Sequence, residues 1–283
     1  MHKFYKMKTL IVLTDFSKAA TNAARYAAAL THQFTVSRFI LFNSYEFKPV
    51  ATDIPMTNQA GMAAQREDSI RKLEKSKIEL QSLIAPNTDI EIMAVENALI
   101  YAVHSLTEQL HAELTVMGIT GMSGFERTII GSNTITVARE ITTPLLLVPH
   151  MATFEKVNKV VFATDLKNNL RKSATEIKTI IKALGARLMI VNVEKSGKEH
   201  FNTGLVTEQA MLHEVWDEDD PEYYFNENDD IAAGILEFIK THNVQMVIAI
   251  PKQHSFFESI FHKSITKRLT YHTPIPLLLL QPG

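Results

Sequence analysis

The chain of 283 residues contains no cysteine, only 10 glycines and a single tryptophan. Without cysteine there are no disulfides, no thiolate metal ligands and no cysteine nucleophile, and a reducing, cytoplasmic setting is the expected one. With a formal net charge of −2 there is no global field to draw the protein to nucleic acid or acidic lipid. Nor is there any run near the ~18 consecutive apolar residues of a membrane-spanning helix. The lysines before Leu10–Leu13 imitate a secretion signal, but that apolar run is far too short and Asp15 closes it. What remains is 46% hydrophobic and 21% charged residues, the balance of a globular protein able to bury a normal core.

The chain says similar things twice. Thr14-Asp15 and Thr164-Asp165 each end an apolar, β-branched run, precede a helical stretch and lead to a second apolar run. The ends of the two halves correspond as well: Phe125-Glu126 with Phe257-Glu258, Ser132 with Ser264, Thr134 with Thr266 and Pro144 with Pro276. A division near 150–155 follows, giving domains over 1–150 and 155–283.

Short apolar runs alternate with longer amphipathic ones. They predict strands near 8–14, 37–43, 90–95, 114–118 and 144–148, with helices near 17–32, 60–84, 98–111 and 132–141. The second half predicts strands near 158–164, 187–193, 222–226, 245–250 and 276–280. Ser17 is the expected N-cap of an Ala-rich first helix. Apolar strands separated by helices imply parallel sheets covered on both faces, hence two doubly wound α/β domains.

The scarce glycines are concentrated where this architecture binds ligands. Gly118, Gly121, Gly124 and Gly131 all fall in "VMGITGMSGFERTIIGSNT", which leaves the fourth strand and opens a helix at Ser132. Glycines there permit positive φ and close approach of backbone amides to an anion. The helix amino terminus, with the hydroxyls of Ser132 and Thr134, adds donors and partial positive charge. A phosphate chain suits such a cradle. Asp15, at the carboxyl end of the first strand, either accepts hydrogen bonds from a ribose or adenine or caps the following helix. Arg127 either lies over the phosphates, favouring slow hydrolysis or autophosphorylation, or is solvated.

This combination resembles the universal stress protein family, whose nucleotide-binding members carry G-x2-G-x9-G-[ST] after the fourth strand and an acidic residue after the first. Gly118, Gly121, Gly131 and Ser132 fill the motif, and Asp15 the acidic position. The resemblance implies five-stranded sheets ordered 3-2-1-4-5, a stress-response role, and ATP bound in the first domain. It places Gly118, Gly121, Gly131, Ser132, Asn133 and Thr134 around ribose and phosphates, and the Ser44 backbone at the adenine near Met117. Any Mg²⁺ would be held through the phosphates and water. In the second half, Ile250, Gln253 and Lys263 replace the three motif glycines, so this domain is expected not to bind ATP in the family manner.

Lys252, His254, His262 and Lys263 form a basic rim that is either solvated or attracts an anion. The spacing of His254, His262 and His272 fits no metal motif. His213, Trp216 and the acidic run Asp217–Asp220 are a docking surface or a solvated loop. The apolar last strands of the two halves suggest an internal pseudo-dimer and leave homodimerisation open. No nucleophile–base pair stands out, so a nucleotide-dependent regulatory module is expected rather than a dedicated catalyst. The rival readings are a nucleotide-hydrolysing enzyme of related α/β architecture and a nucleotide-free interaction scaffold.

Overall fold

The computed structural model describes residues 6–46, 58–119, 132–165, 170–195, 215–216, 220–250 and 273–281. They form two compact units, one centred on residues 6–119 and 132–154, the other on residues 155–281. Among the described residues, no helix is long and apolar enough to cross a membrane.

The first unit runs β1 (Lys6–Leu13), α1 (Lys18–Leu30), β2 (Thr35–Tyr45), α2 (Asn58–Leu80), β3 (Asp89–Glu96), α3 (Leu99–Gln109), β4 (Leu114–Ile119), α4 (Ser132–Glu140) and β5 (Leu145–Pro149). Its sheet is parallel, in the order β3-β2-β1-β4-β5. Leu10, Ile11, Val12 and Leu13 are all buried, so β1 has an apolar residue on each face, as a strand covered by helices on both sides requires. Ala19, Ala20, Ala23, Ala24, Ala27 and Ala28 are the buried small residues of α1; they combine high helix propensity with a low profile against the sheet. Ser17 caps this helix, its Oγ accepting from the Ala20 amide at 3.2 Å. One turn further on, Asn22 donates to the carbonyls of Pro149 (3.0 Å) and Ala152 (2.9 Å). Tyr26 meets Phe154 edge to face, with ring centroids 5.3 Å apart. The segment leaving β5 is thereby clasped to α1.

The second unit runs β6 (Lys159–Ala163), α5 (Leu170–Leu184), β7 (Arg187–Glu194), β8 (Glu222–Glu227), α6 (Ile231–His242), β9 (Met246–Ala249) and β10 (Leu277–Leu279). Its order, β8-β7-β6-β9-β10, repeats that of the first unit, and its strands are again parallel. Gly185 ends α5 at φ +60°, and the αL residue Asn243 ends α6 at φ +51°.

The repetition extends to individual hydrogen bonds. Thr14 N donates to Phe42 O and Thr164 N to Val191 O, at the ends of the two first strands. Asn43 Nδ2 donates to Thr14 O at 2.7 Å, and Asn192 Nδ2 to Thr164 O at 3.0 Å. Thr115 N bonds Pro144 O just as Val247 N bonds Pro276 O. Arg38 pairs with Glu91, and Arg187 with Glu222, across the second and third strands of each sheet.

Trp216 is a core residue rather than part of a docking surface. It is fully buried, its ring is 6.4 Å from that of Phe162, and Lys178 Nζ lies 5.6 Å from its centroid.

Arg38 grips both oxygens of Glu91 at 2.7 and 2.9 Å, and these hydrogen bonds hold the Glu91 carboxyl below the usual carboxylate range. Both side chains are more than a third exposed, so the pair contributes at most about 1 kcal/mol. A depressed native pKa means that the contribution is present at neutral pH and is lost as pH falls through and below the ordinary carboxylate range. Glu91→Gln should therefore lower the thermal midpoint at pH 7, and the difference from wild type should narrow as pH falls below the ordinary carboxylate range. Thermal unfolding followed by circular dichroism across that range checks this.

Candidate functional site

The switch point of the first sheet lies between β1 and β4, since β2 and β3 extend to one side of β1 and β4 and β5 to the other. In open parallel sheets this is where the carboxyl ends of strands leave a crevice. A cleft of about 230 Å³ opens there. Leu13 and Met117, paired across β1 and β4, form part of its apolar lining with Leu99 at the start of α3. Thr14, Asp15 and Ser17 of the β1–α1 turn, Ser44 of β2, Gly118 of β4 and Ser132, Asn133 and Thr134 of α4 complete much of the rim.

All seven described site candidates meet in this cleft: Asp15, Ser44, Met117, Gly118, Ser132, Asn133 and Thr134. Gly121, Gly124, Arg127 and Gly131 lie outside the described residues. The sequence did not point to Leu13, Ser17, Ala19, Ala20 or Leu99 as part of the lining. Thr14 was visible as half of the repeated Thr-Asp pair, whereas nothing local marks Leu99, which the β3–α3 turn delivers.

Gly118 owes its identity to packing. Its φ is not positive, so close approach rather than backbone freedom is what requires a glycine here. A Cβ there would lie 2.3 Å from the carbonyl oxygen of Ala19, 2.5 Å from that residue's carbonyl carbon and 2.8 Å from Ala20 N. The missing side chain lets the first turn of α1 rest directly on β4, and this contact forms one wall of the cleft.

Asp15 both shapes the turn and lines the cleft. Its Oδ1 accepts from Ser17 N at 2.9 Å, while Phe16 N donates to Thr14 Oγ1 at 3.0 Å. Phe16 itself sits at φ +64°, a left-handed conformation costly for a bulky residue. Helix capping falls to Ser17, so Asp15 is not the cap. Its side chain is exposed, and among the described residues Oδ2 has no partner. The amides of Phe16, Ser17 and Ala20 are all occupied by side chains of the turn. An anion therefore finds better donors at the amino end of α4, where the first-turn amides have no intrahelical acceptor.

The backbone of Ser44 faces the cleft for a reason of parity. Phe42 O accepts from Thr14 on the β1 side, and Tyr45 O accepts from Asn97 on the β3 side. Successive residues of a parallel strand address opposite neighbours, so the peptide groups of Ser44 point to the side that β1 vacates after Leu13. The Ser44 hydroxyl is turned the other way, donating to Asn97 O.

Asp15 is the only charged side chain among the described lining residues. The surface that remains is apolar on the sheet and rich in hydroxyls and amides at the helix ends. It suits a flat apolar ring, a polyol and an anion in sequence. Among the described residues, no group of three or more His, Asp or Glu side chains is placed to hold a metal ion.

The model of the universal stress protein family matches residues 6–149, just over half of the 283 residues. The chain belongs to the universal stress protein family. Its fold is similar to that of a universal stress protein from Archaeoglobus fulgidus DSM 4304, at 15% identity, 100% coverage of both chains and a TM-score of 0.72. A family protein from Pseudomonas aeruginosa UCBPP-PA14 is similar at 12% identity and a TM-score of 0.59, over 99% of this chain and 95% of that one. A functionally unknown protein from Pseudomonas aeruginosa PAO1 gives the same identity and TM-score, over 99% and 94%. No curated protein sequence matches the chain significantly.

The cleft depends on the close contact at Gly118. Gly118→Ala forces a methyl against backbone atoms that cannot swing aside, so a loss of about 1–3 kcal/mol of stability is expected without any ligand. Chemical denaturation of the ligand-free protein measures it, and a stability unchanged from wild type would contradict the packing account.

Proposed function

We propose that the first unit is an ATP-binding regulatory module of the stress response, and that residues 155–283 form a companion domain without a working nucleotide site. The observation that carries this reading is the convergence of Asp15, Ser44, Met117, Gly118, Ser132, Asn133 and Thr134 on one cleft at the switch point. The adenine lies against Leu13, Leu99 and Met117, with its polar edge on the peptide groups of Ser44. Asp15 accepts from the ribose hydroxyls. The phosphates extend over the amino end of α4, where main-chain amides and the hydroxyls of Ser132 and Thr134 meet them. Gly121 and Gly131 complete the cradle in this reading, and Arg127 is a candidate cation for it. With no second carboxylate on the described rim, Mg²⁺ is carried by the phosphates and water.

The second unit supports the asymmetry. It keeps Thr164, Asp165 and the Asn192 bond, but Ile250 stands at the position corresponding to Gly118. A branched side chain there opposes the close contact of helix on strand that builds the first cleft.

The test is mass spectrometry of small molecules released from freshly purified protein. About one adenine nucleotide per chain is expected, since each site holds one ligand; two per chain would refute the asymmetry, and none after saturation with ATP would refute the reading. Asp15→Ala should weaken ATP binding about tenfold, the scale of one hydrogen bond to a charged group. Isothermal titration calorimetry checks that value.

A further inference from the structure

Two residues of α2, neither of them lining the cleft, reach the turn that carries Asp15. Ser69 is buried and donates from Oγ to Asn43 Oδ1 at 2.7 Å. Asn43, equally buried on β2, passes the contact on by donating from Nδ2 to Thr14 O at 2.7 Å. Thr14 Oγ1 in turn holds the amide of Phe16, and Asp15 Oδ1 holds that of Ser17. One turn along α2 from Ser69, Lys72 places Nζ 5.5 Å from the centroid of the Phe16 ring. The left-handed residue of the turn is thus braced from α2 by two separate contacts.

Asn192 makes the same carboxamide-to-carbonyl bond to Thr164 in the second unit. That bond closes the gap where the first and second strands part, and is a requirement of the fold. In the first unit, whose turn lines the cleft, the Ser69 hydroxyl stands behind the carboxamide. A carboxamide can flip, exchanging donor and acceptor. The Thr14 carbonyl can only accept, so the amine is held toward it and the oxygen is left to accept the Ser69 proton.

We propose that Ser69 is a positioning residue: acting through Asn43, it fixes the Thr14–Ser17 turn and thereby the direction in which Asp15 presents its carboxylate to a ribose. The part of this that concerns ribose rests on the nucleotide reading above. The orientation of the turn does not.

Ser69→Ala in the full chain tests both parts, because alanine is the better helix former and α2 should persist. Amide hydrogen exchange of the ligand-free protein should rise about tenfold at Phe16 and Ser17, the scale of one lost hydrogen bond, with α3 unchanged. Affinity for ATP should fall about tenfold by calorimetry, while affinity for 2′,3′-dideoxy-ATP, which lacks both ribose hydroxyls, stays the same. Unchanged exchange at Phe16 and Ser17 would overturn the proposal, and so would a rise spread evenly over the unit, which denotes general loosening. An equal loss for both nucleotides would overturn the link to Asp15. If wild-type protein bound neither nucleotide but exchange still rose locally, the positioning of the turn would stand and the nucleotide reading would fall.

Discussion

The cleft exists because a helix is allowed to touch a strand without a side chain between them. At Gly118 the backbone of α1 approaches so closely that even a methyl would overlap the Ala19 carbonyl. That contact brings the start of α1 to the carboxyl edge of β4, beside Met117, and places the β1–α1 turn within reach of the amino end of α4. The alanine-rich composition of α1 continues the same theme along the helix, with six small residues buried against the sheet. Chemistry at the rim is therefore secondary to packing at the wall. Ser132 and Thr134 share the cleft with that wall.

The two units share what the parallel sheet needs and differ at the cleft. Both units retain a threonine at the end of the first strand, an asparagine on the second that satisfies its carbonyl, and an arginine–glutamate pair nearer the sheet edge. The threonine and asparagine close the sheet where the first and second strands diverge, and loss of the asparagine would leave a strand-end carbonyl without its donor. Gly118 is different. Its role is to admit a helix at close range, and an isoleucine at the corresponding place is compatible with the strand order of the second unit.

Much of the architecture was legible in the sequence because each strand is a compact apolar run bounded by polar residues. Even the strand over Glu222–Glu227, set in an acidic and aromatic stretch, fell where the pattern put it. Ser17 was legible as a cap because a hydroxyl before an alanine run has few other uses. The identity of Gly118 was legible but its reason was not: spacing marks a glycine as special without saying whether φ or proximity demands it. Leu99 and Ser69 left no trace, since their roles arise from residues on other strands and helices that only the fold brings near. Trp216 misled for the opposite reason. An acidic neighbourhood suggests a surface, yet the ring itself is wholly enclosed.

The clasp between α1 and the segment beyond β5 ties two otherwise separate matters together. Ala19 and Ala20 border the cleft, while Asn22 and Tyr26 on the same helix grip Pro149, Ala152 and Phe154. A helix is stiff over so short a span, about 1.5 Å of rise for each residue. A tilt of α1 at its cleft-facing end would be carried to the stretch of chain by which the polypeptide takes leave of this unit. Cleft and exit share one lever.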